Sequence, residues 1–210
     1  MTKKSFLITL EGTDGVGKTT QARLLKEWLE RQGYDVLLTR EPGGGTVAEK
    51  IRKILLDPNV HLENLTELFL YEAARVEHLN KIVRPALKKG MVVLCDRFTD
   101  ATIAYQGHAR GLMKDVLLLN VIATKGLKPH LTLLLNLPPA QGMKKALERS
   151  QKKGKGDRVE NEGLSFQRKV QKGYLNLQKK EPGRIKLIPV QKTIEATQEL
   201  IQDAVQLKLK

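Results

Sequence analysis

Gly12-Thr13-Asp14-Gly15-Val16-Gly17-Lys18-Thr19 matches the pattern G-x-x-x-x-G-K-[ST] and lies between an apolar run at residues 6–10 and a segment where Leu24, Leu25, Trp28 and Leu29 recur at helical spacing. The glycines let successive N–H groups converge on phosphate oxygens, Lys18 adds a point charge, and the Thr19 hydroxyl is of the right kind to ligate Mg²⁺. Those donors open a helix, whose dipole favours anions. A glycine-rich turn without a ligand is the plainer alternative, and the strand-loop-helix order speaks against it. The stretch predicts a nucleoside triphosphate site over Gly12, Thr13, Asp14, Gly15, Val16, Gly17, Lys18, Thr19 and Thr20.

The chain has 210 residues, 40% of them hydrophobic, which suits one well-cored domain over 1–210 better than two. It has no run near the roughly 20 apolar residues of a membrane span. Met1-Thr2-Lys3-Lys4 does not open a secretory signal, so a soluble, cytoplasmic protein with no membrane partner is expected. The one cysteine, Cys95, ends the apolar run 91–95 and reads as a small buried hydrophobe. His61, His78, His108 and His130 show no metal-ligand spacing. The formal charge of +14 is uneven: residues 140–186 carry fourteen Lys/Arg against five Asp/Glu. That excess surrounds Gln151-Lys152-Lys153-Gly154-Lys155-Gly156-Asp157-Arg158, a cationic loop for which polyphosphate is as good a counter-ion as nucleic acid. For any single lysine, a solvated surface is explanation enough.

Apolar runs at 6–10, 36–39, 91–95, 131–137 and 185–190 alternate with helical patterning at 19–32, 47–56, 65–87, 113–124, 139–150, 164–179 and 194–207. The alternation predicts an α/β fold, a doubly wound five-stranded parallel sheet flanked by helices. Such sheets bind ligands beyond the carboxyl ends of their strands. The second run ends in Arg40-Glu41-Pro42-Gly43-Gly44-Gly45 and the third in Asp96-Arg97. Asp96 occupies the place of a Mg²⁺-linked carboxylate, or it anchors Arg97. Arg97 offers a planar fork matched to a phosphate.

Taken together these residues resemble the bacterial thymidylate kinases, P-loop nucleoside monophosphate kinases that transfer the γ-phosphoryl of ATP to dTMP. The resemblance spans nearly the whole chain: Leu10-Glu11-Gly12 into the phosphate loop, Thr39-Arg40-Glu41-Pro42-Gly43-Gly44, Tyr71-Glu72-Ala73-Ala74-Arg75, Asp96-Arg97, Ala104-Tyr105-Gln106-Gly107 and Asp157-Arg158-Val159-Glu160. It implies that Asp14 lies near the 3′-hydroxyl and phosphate of the monophosphate, and that Arg75 and Arg97 grip the acceptor beside Pro42. It also implies that Tyr71 stacks on thymine, and that Thr102, Tyr105 and Gln106 read the base edge and reject a 2′-hydroxyl. ATP and dTMP are the implied partners, Mg²⁺ held by Thr19 and Asp96 the implied cofactor, and a homodimer the implied assembly.

Relatives without an arginine in the phosphate loop supply the transition-state cation from a lid, here about 149–160. This loop has Gly15 at that place, so the expected cation is Arg158 first and Arg149 second, acting beside Lys18 and Arg97. The chain departs from the pattern at Gly45, where relatives often have a hydroxyl, and at Pro189-Val190, near the adenine side. Rival readings are a P-loop kinase for another nucleoside monophosphate or a deoxynucleoside, a nucleic-acid-binding NTPase that uses the +14 charge, and a non-catalytic nucleotide-binding module. No nucleic-acid motif is recognisable, so no nucleic-acid partner is expected.

Overall fold

Every residue of strand β1 (Phe6–Glu11) is buried, as a central parallel strand requires when helices cover both faces of its sheet. The computed structural model describes the backbone of residues 5–153 and 157–209, and the side chains of 5–148 and 157–209. The other strands are β2 (Val36–Arg40), β3 (Val92–Asp96), β4 (Leu131–Asn136) and β5 (Ile185–Pro189). They form one sheet in the order β2-β3-β1-β4-β5, and all of its pairings are parallel. The expected doubly wound sheet is found.

The helices in chain order are α1 (Lys18–Arg31), α2 (Thr46–Leu56), α3 (Asn64–His78), α4 (Arg84–Lys88), α5 (Thr99–Thr102), α6 (Met113–Thr124), α7 (Pro139–Lys153), α8 (Gly163–Lys180) and α9 (Ile194–Leu209). Side chains along β1 alternate between faces. Phe6, Ile8 and Leu10 pack with Leu25 and Leu29 of α1 and Ile201 and Val205 of α9. Leu7 faces the opposite layer, with Leu79, Val83 and Phe98. Glu11 also falls on that second face, where it is anchored by Tyr174 of α8. Among the described residues no helix is long and apolar enough to cross a membrane.

Register decides where the loops meet. Asp96 at the end of β3 is level with Leu10 on one side and Arg40 on the other. The turns after β1, β2 and β3 therefore emerge side by side, at one rim of the sheet.

The helix predicted over 65–87 is α3 and α4 joined by a π-helical turn, Leu79–Val83. Pro85 supplies no N–H and its ring crowds the carbonyl four residues earlier, a conflict that a wider turn relieves. A second π-helical stretch, Ile103–Ala109, extends α5 and brings Tyr105 and Gln106 to the same rim.

Candidate active site

Gly15 and Gly142 explain the shape of the phosphate loop. Gly15 has φ +74°, and a Cβ there would lie 1.8 Å from the Gly142 carbonyl oxygen, so the loop and the start of α7 touch backbone to backbone. No larger residue fits at position 15 without displacing α7. Lys18 Nζ folds onto the loop, donating to the carbonyls of Gly12 at 3.1 Å and Thr13 at 2.8 Å. Burial, reinforced by the charge of Arg97, lowers its pKa to about 8. The Thr19 hydroxyl donates to Asp96 Oδ2 at 2.6 Å, which brings the two expected metal ligands together. A hydroxyl and a carboxylate side by side are hard oxygen donors of the kind Mg²⁺ takes.

Arg97 sits in a left-handed backbone conformation, φ 72°, which for a residue with a side chain costs about 1–2 kcal/mol. Three bonds hold it there. Its own N–H donates to Leu10 O, the Phe98 N–H donates to Glu11 Oε1 at 2.7 Å, and the Cys95 thiol donates to the Arg97 carbonyl. The guanidinium then reaches Asp14 Oδ1 at 2.5 Å, the hydroxyls of Tyr105 and Tyr174, and Gly12 O. Burial pushes the Asp14 carboxyl up, but Arg97 and then Lys18 more than offset this, and it stays below the usual carboxylate range. At Glu11 burial prevails and raises the carboxyl to about 8, with repulsion from Asp100 adding to the shift.

Arg75 is held more completely still. It donates to Glu41 Oε2, Glu72 Oε1, Asn120 Oδ1 and Thr102 Oγ1 at 2.6–2.8 Å, which leaves one of its five N–H groups. Against the cost of burial, Glu41 and Glu72 keep it firmly protonated. Glu41 accepts from the other side at His78 Nδ1, 3.0 Å away, and His78 Nε2 pairs with Thr39. Glu41, His78 and Cys95 offer donor atoms within 4.8 Å of one another. Glu41 and His78 form a hydrogen-bonded bracket behind Arg75, while the Cys95 thiol is bonded to the Arg97 carbonyl.

These groups surround a cavity of about 340 Å³, a volume suited to a small molecule. Of the residues named from the sequence, Asp14, Gly15, Gly17, Lys18, Thr19, Thr20, Pro42, Tyr71, Arg75, Asp96, Arg97, Thr102, Tyr105 and Gln106 line it. Gly12, Thr13 and Val16 lie behind the loop, where the first two receive Lys18 and Val16 joins the core. Arg158, the first choice for the lid cation, does not line the cavity. Its backbone N–H donates to Leu56 O, its Nε donates to Leu55 O at 2.9 Å, and its NH2 lies 2.6 Å from Glu67 Oε2. A buried carboxylate and the carbonyls at the end of α2 outbid the open pocket for it. Arg149, the second choice, is on α7 four residues after the cavity-lining Lys145, and its side chain lies outside the described residues.

Several bonding partners escaped the sequence reading. Glu41, Glu67, Asn120, Gln167 and Tyr174 each hold a predicted residue, and Gln167 Nε2 donates to Asp14 Oδ2 at 2.7 Å across 153 positions of chain. Glu11, an acid closing an apolar strand, and Glu41, in the motif after the second strand, carried a visible signal.

Residues 10–201 match the family model described as thymidylate kinase. A thymidylate kinase from Syntrophotalea carbinolica is 50% identical over 196 residues, covering 91% of this chain and 90% of its own. One from Geotalea uraniireducens is 48% identical over 206 residues, covering 96% and 97%. The crystal structure of thymidylate kinase from Ehrlichia chaffeensis superposes with a TM-score of 0.76 at 32% identity, covering 96% of this chain and 98% of that one.

Proposed function

The chain belongs to the thymidylate kinase family and phosphorylates dTMP, a step toward dTTP, and on that premise we propose which of its residues perform the transfer. The ATP phosphates lie along the amides of residues 12–20, and Lys18 leaves its two backbone carbonyls to reach them. Arg97 and the one free N–H of Arg75 hold the dTMP phosphate, while Tyr71 stacks on the base. Thr19 and Asp96 would hold Mg²⁺, which when bound would offset charge on the ATP phosphates. Asp14 orients Arg97 and takes the sugar hydroxyl. No covalent intermediate is required, because positioning and electrostatic stabilisation carry phosphoryl transfer. The observation that supports this most is the meeting of the Thr19–Asp96 pair with Arg97 and Arg75 around one cavity.

The transition-state cation is assigned to Arg149, because Arg158 is committed to Glu67 and α2. The working unit is one kinase domain with its lid at about 149–160, acting in the cytoplasm. It assembles as a homodimer through Leu117, Leu118, Val121 and Ile122 of α6 with Leu65 and Phe69 of α3, an exposed apolar face that water would otherwise wet. Steady-state rates across dTMP, dUMP, dCMP, dGMP and thymidine, for the wild type and Arg97→Ala, test the site. The expected result is dTMP preferred, with kcat/KM for dTMP falling about 10³-fold in the variant. An unchanged kcat/KM in Arg97→Ala would remove Arg97 from the acceptor site.

A further inference from the structure

Glu67 of α3 is 1% exposed and gathers three side chains from two separate segments. Its Oε1 accepts from Gln106 Nε2 and Arg110 Nε, each at 2.7 Å. Its Oε2 accepts from Arg110 NH2 at 3.0 Å and lies 2.6 Å from Arg158 NH2. A carboxylate between two guanidinium groups is an anion, and an anion offers only acceptors. Gln106 must therefore turn its NH₂ toward Glu67. The two ends of a glutamine amide are nearly isosteric, so shape alone would not set this orientation, but the charge of Glu67 does. Gln106 lines the cavity, and its amide oxygen is the end left for an occupant.

Thymine presents an N3–H donor between two carbonyls, whereas cytosine presents a bare N3 acceptor at the same place. A fixed acceptor in the pocket attracts the first edge and repels the second. We propose that Glu67 determines base specificity without touching the base, by locking the Gln106 amide with its oxygen toward the substrate. Arg110 and Arg158 keep Glu67 ionised, and so give the lid segment a share in base selection. The proposal rests on the reading that Gln106 faces the base. Glu67 is a positioning residue, and its effect belongs to the choice between substrates.

Glu67→Gln removes the charge and supplies a second NH₂, so Gln106 can present either end. The quantity to measure is the ratio of kcat/KM for dTMP to that for 5-methyl-dCMP, which keeps the methyl group and sugar and differs only at the N3–C4 edge. The wild-type ratio is expected to be large and to fall at least about tenfold in Glu67→Gln, with Glu67→Asp retaining more of it. A large wild-type ratio that Glu67→Gln leaves unchanged overturns the proposal, even if both substrates slow together or the melting temperature drops. A wild-type ratio near unity overturns instead the reading that Gln106 faces the base. Should Glu67→Gln not fold, the side-chain amide protons of Gln106 in the wild type decide. Protection from exchange before dTMP is added supports the lock, and protection that appears only on dTMP binding contradicts it.

Discussion

Arg75 and Arg97 each donate four hydrogen bonds before any substrate arrives, to carboxylates, hydroxyls, an amide and a backbone carbonyl drawn from both flanks of the pocket. On the donor side, Lys18 rests on two backbone carbonyls that a triphosphate displaces, and Arg158 is turned onto α2 and Glu67. Both regions are rich in cations, yet only the acceptor side holds its arginines in a fixed array that lines the pocket. The difference teaches where each part of the barrier is met. On the proposed assignment, orientation of dTMP is built into the fold, through buried ion pairs whose guanidinium groups lose little freedom on binding. In the proposed mechanism, charge compensation at the transferring phosphoryl group is assembled only when the nucleotide and lid come together.

That contrast can be broken at several points. A large effect is expected where α7 meets the phosphate loop. A Cβ at Gly142 would lie 2.4 Å from the Asp14 carbonyl, so Gly142→Ala pushes α7 away from the loop. A displacement near 1 Å costs about 10²-fold; kcat/KM for ATP should fall by that factor, while dTMP affinity measured by calorimetry without ATP stays within about twofold. Weaker dTMP binding would mean that the two sides are not separable.

A smaller effect is expected behind Arg75. Asn120→Ala removes one of its four bonds, worth about 1 kcal/mol, so KM for dTMP should rise about fivefold with kcat little changed. A fall in kcat with unchanged KM would place Arg75 on the donor side instead.

The smallest concerns stability. The Glu11 carboxyl, ordinarily 4.5, is raised to about 8 in the folded protein. Its contribution to stability is therefore complete below about 4.5 and is lost as pH rises through about 8. Glu11→Gln is neutral at every pH and keeps an acceptor for the Phe98 N–H. Its melting temperature should gain on the wild type between about pH 4.5 and pH 8, by about 2–4 °C for each kcal/mol that the wild type loses. A constant difference across that range would mean that Glu11 does not titrate there.

Most of the frame was legible in the sequence because its signals are local. The runs 6–10 and 91–95, the glycine spacing of 12–17 and the apolar periodicity of 113–124 are each decided within a few residues, and the structure places strands and helices there. The supporting bonds were not legible. Gln167 finds Asp14 across 153 positions and Asn120 finds Arg75 across 45, and neither has a local pattern that marks it. Arg158 shows the cost of this. In the chain it belongs to a cationic run and reads as a lid charge, but its partner Glu67 is an ordinary acid of an amphipathic helix until the fold buries it. The absence of an arginine at Gly15 was visible, whereas its physical reason, the Gly142 backbone, was not.

The most direct test compares the single-turnover rate of phosphoryl transfer, at saturating ATP and dTMP, in Arg149→Ala and Arg158→Ala. A lid that supplies the transferring charge through Arg149, with Arg158 retained by Glu67, predicts a fall of about 10³-fold in the first variant. The second should keep a rate within about tenfold of the wild type, its loss falling mainly on KM for dTMP. The reverse order, with Arg158→Ala the slower variant, would contradict the account.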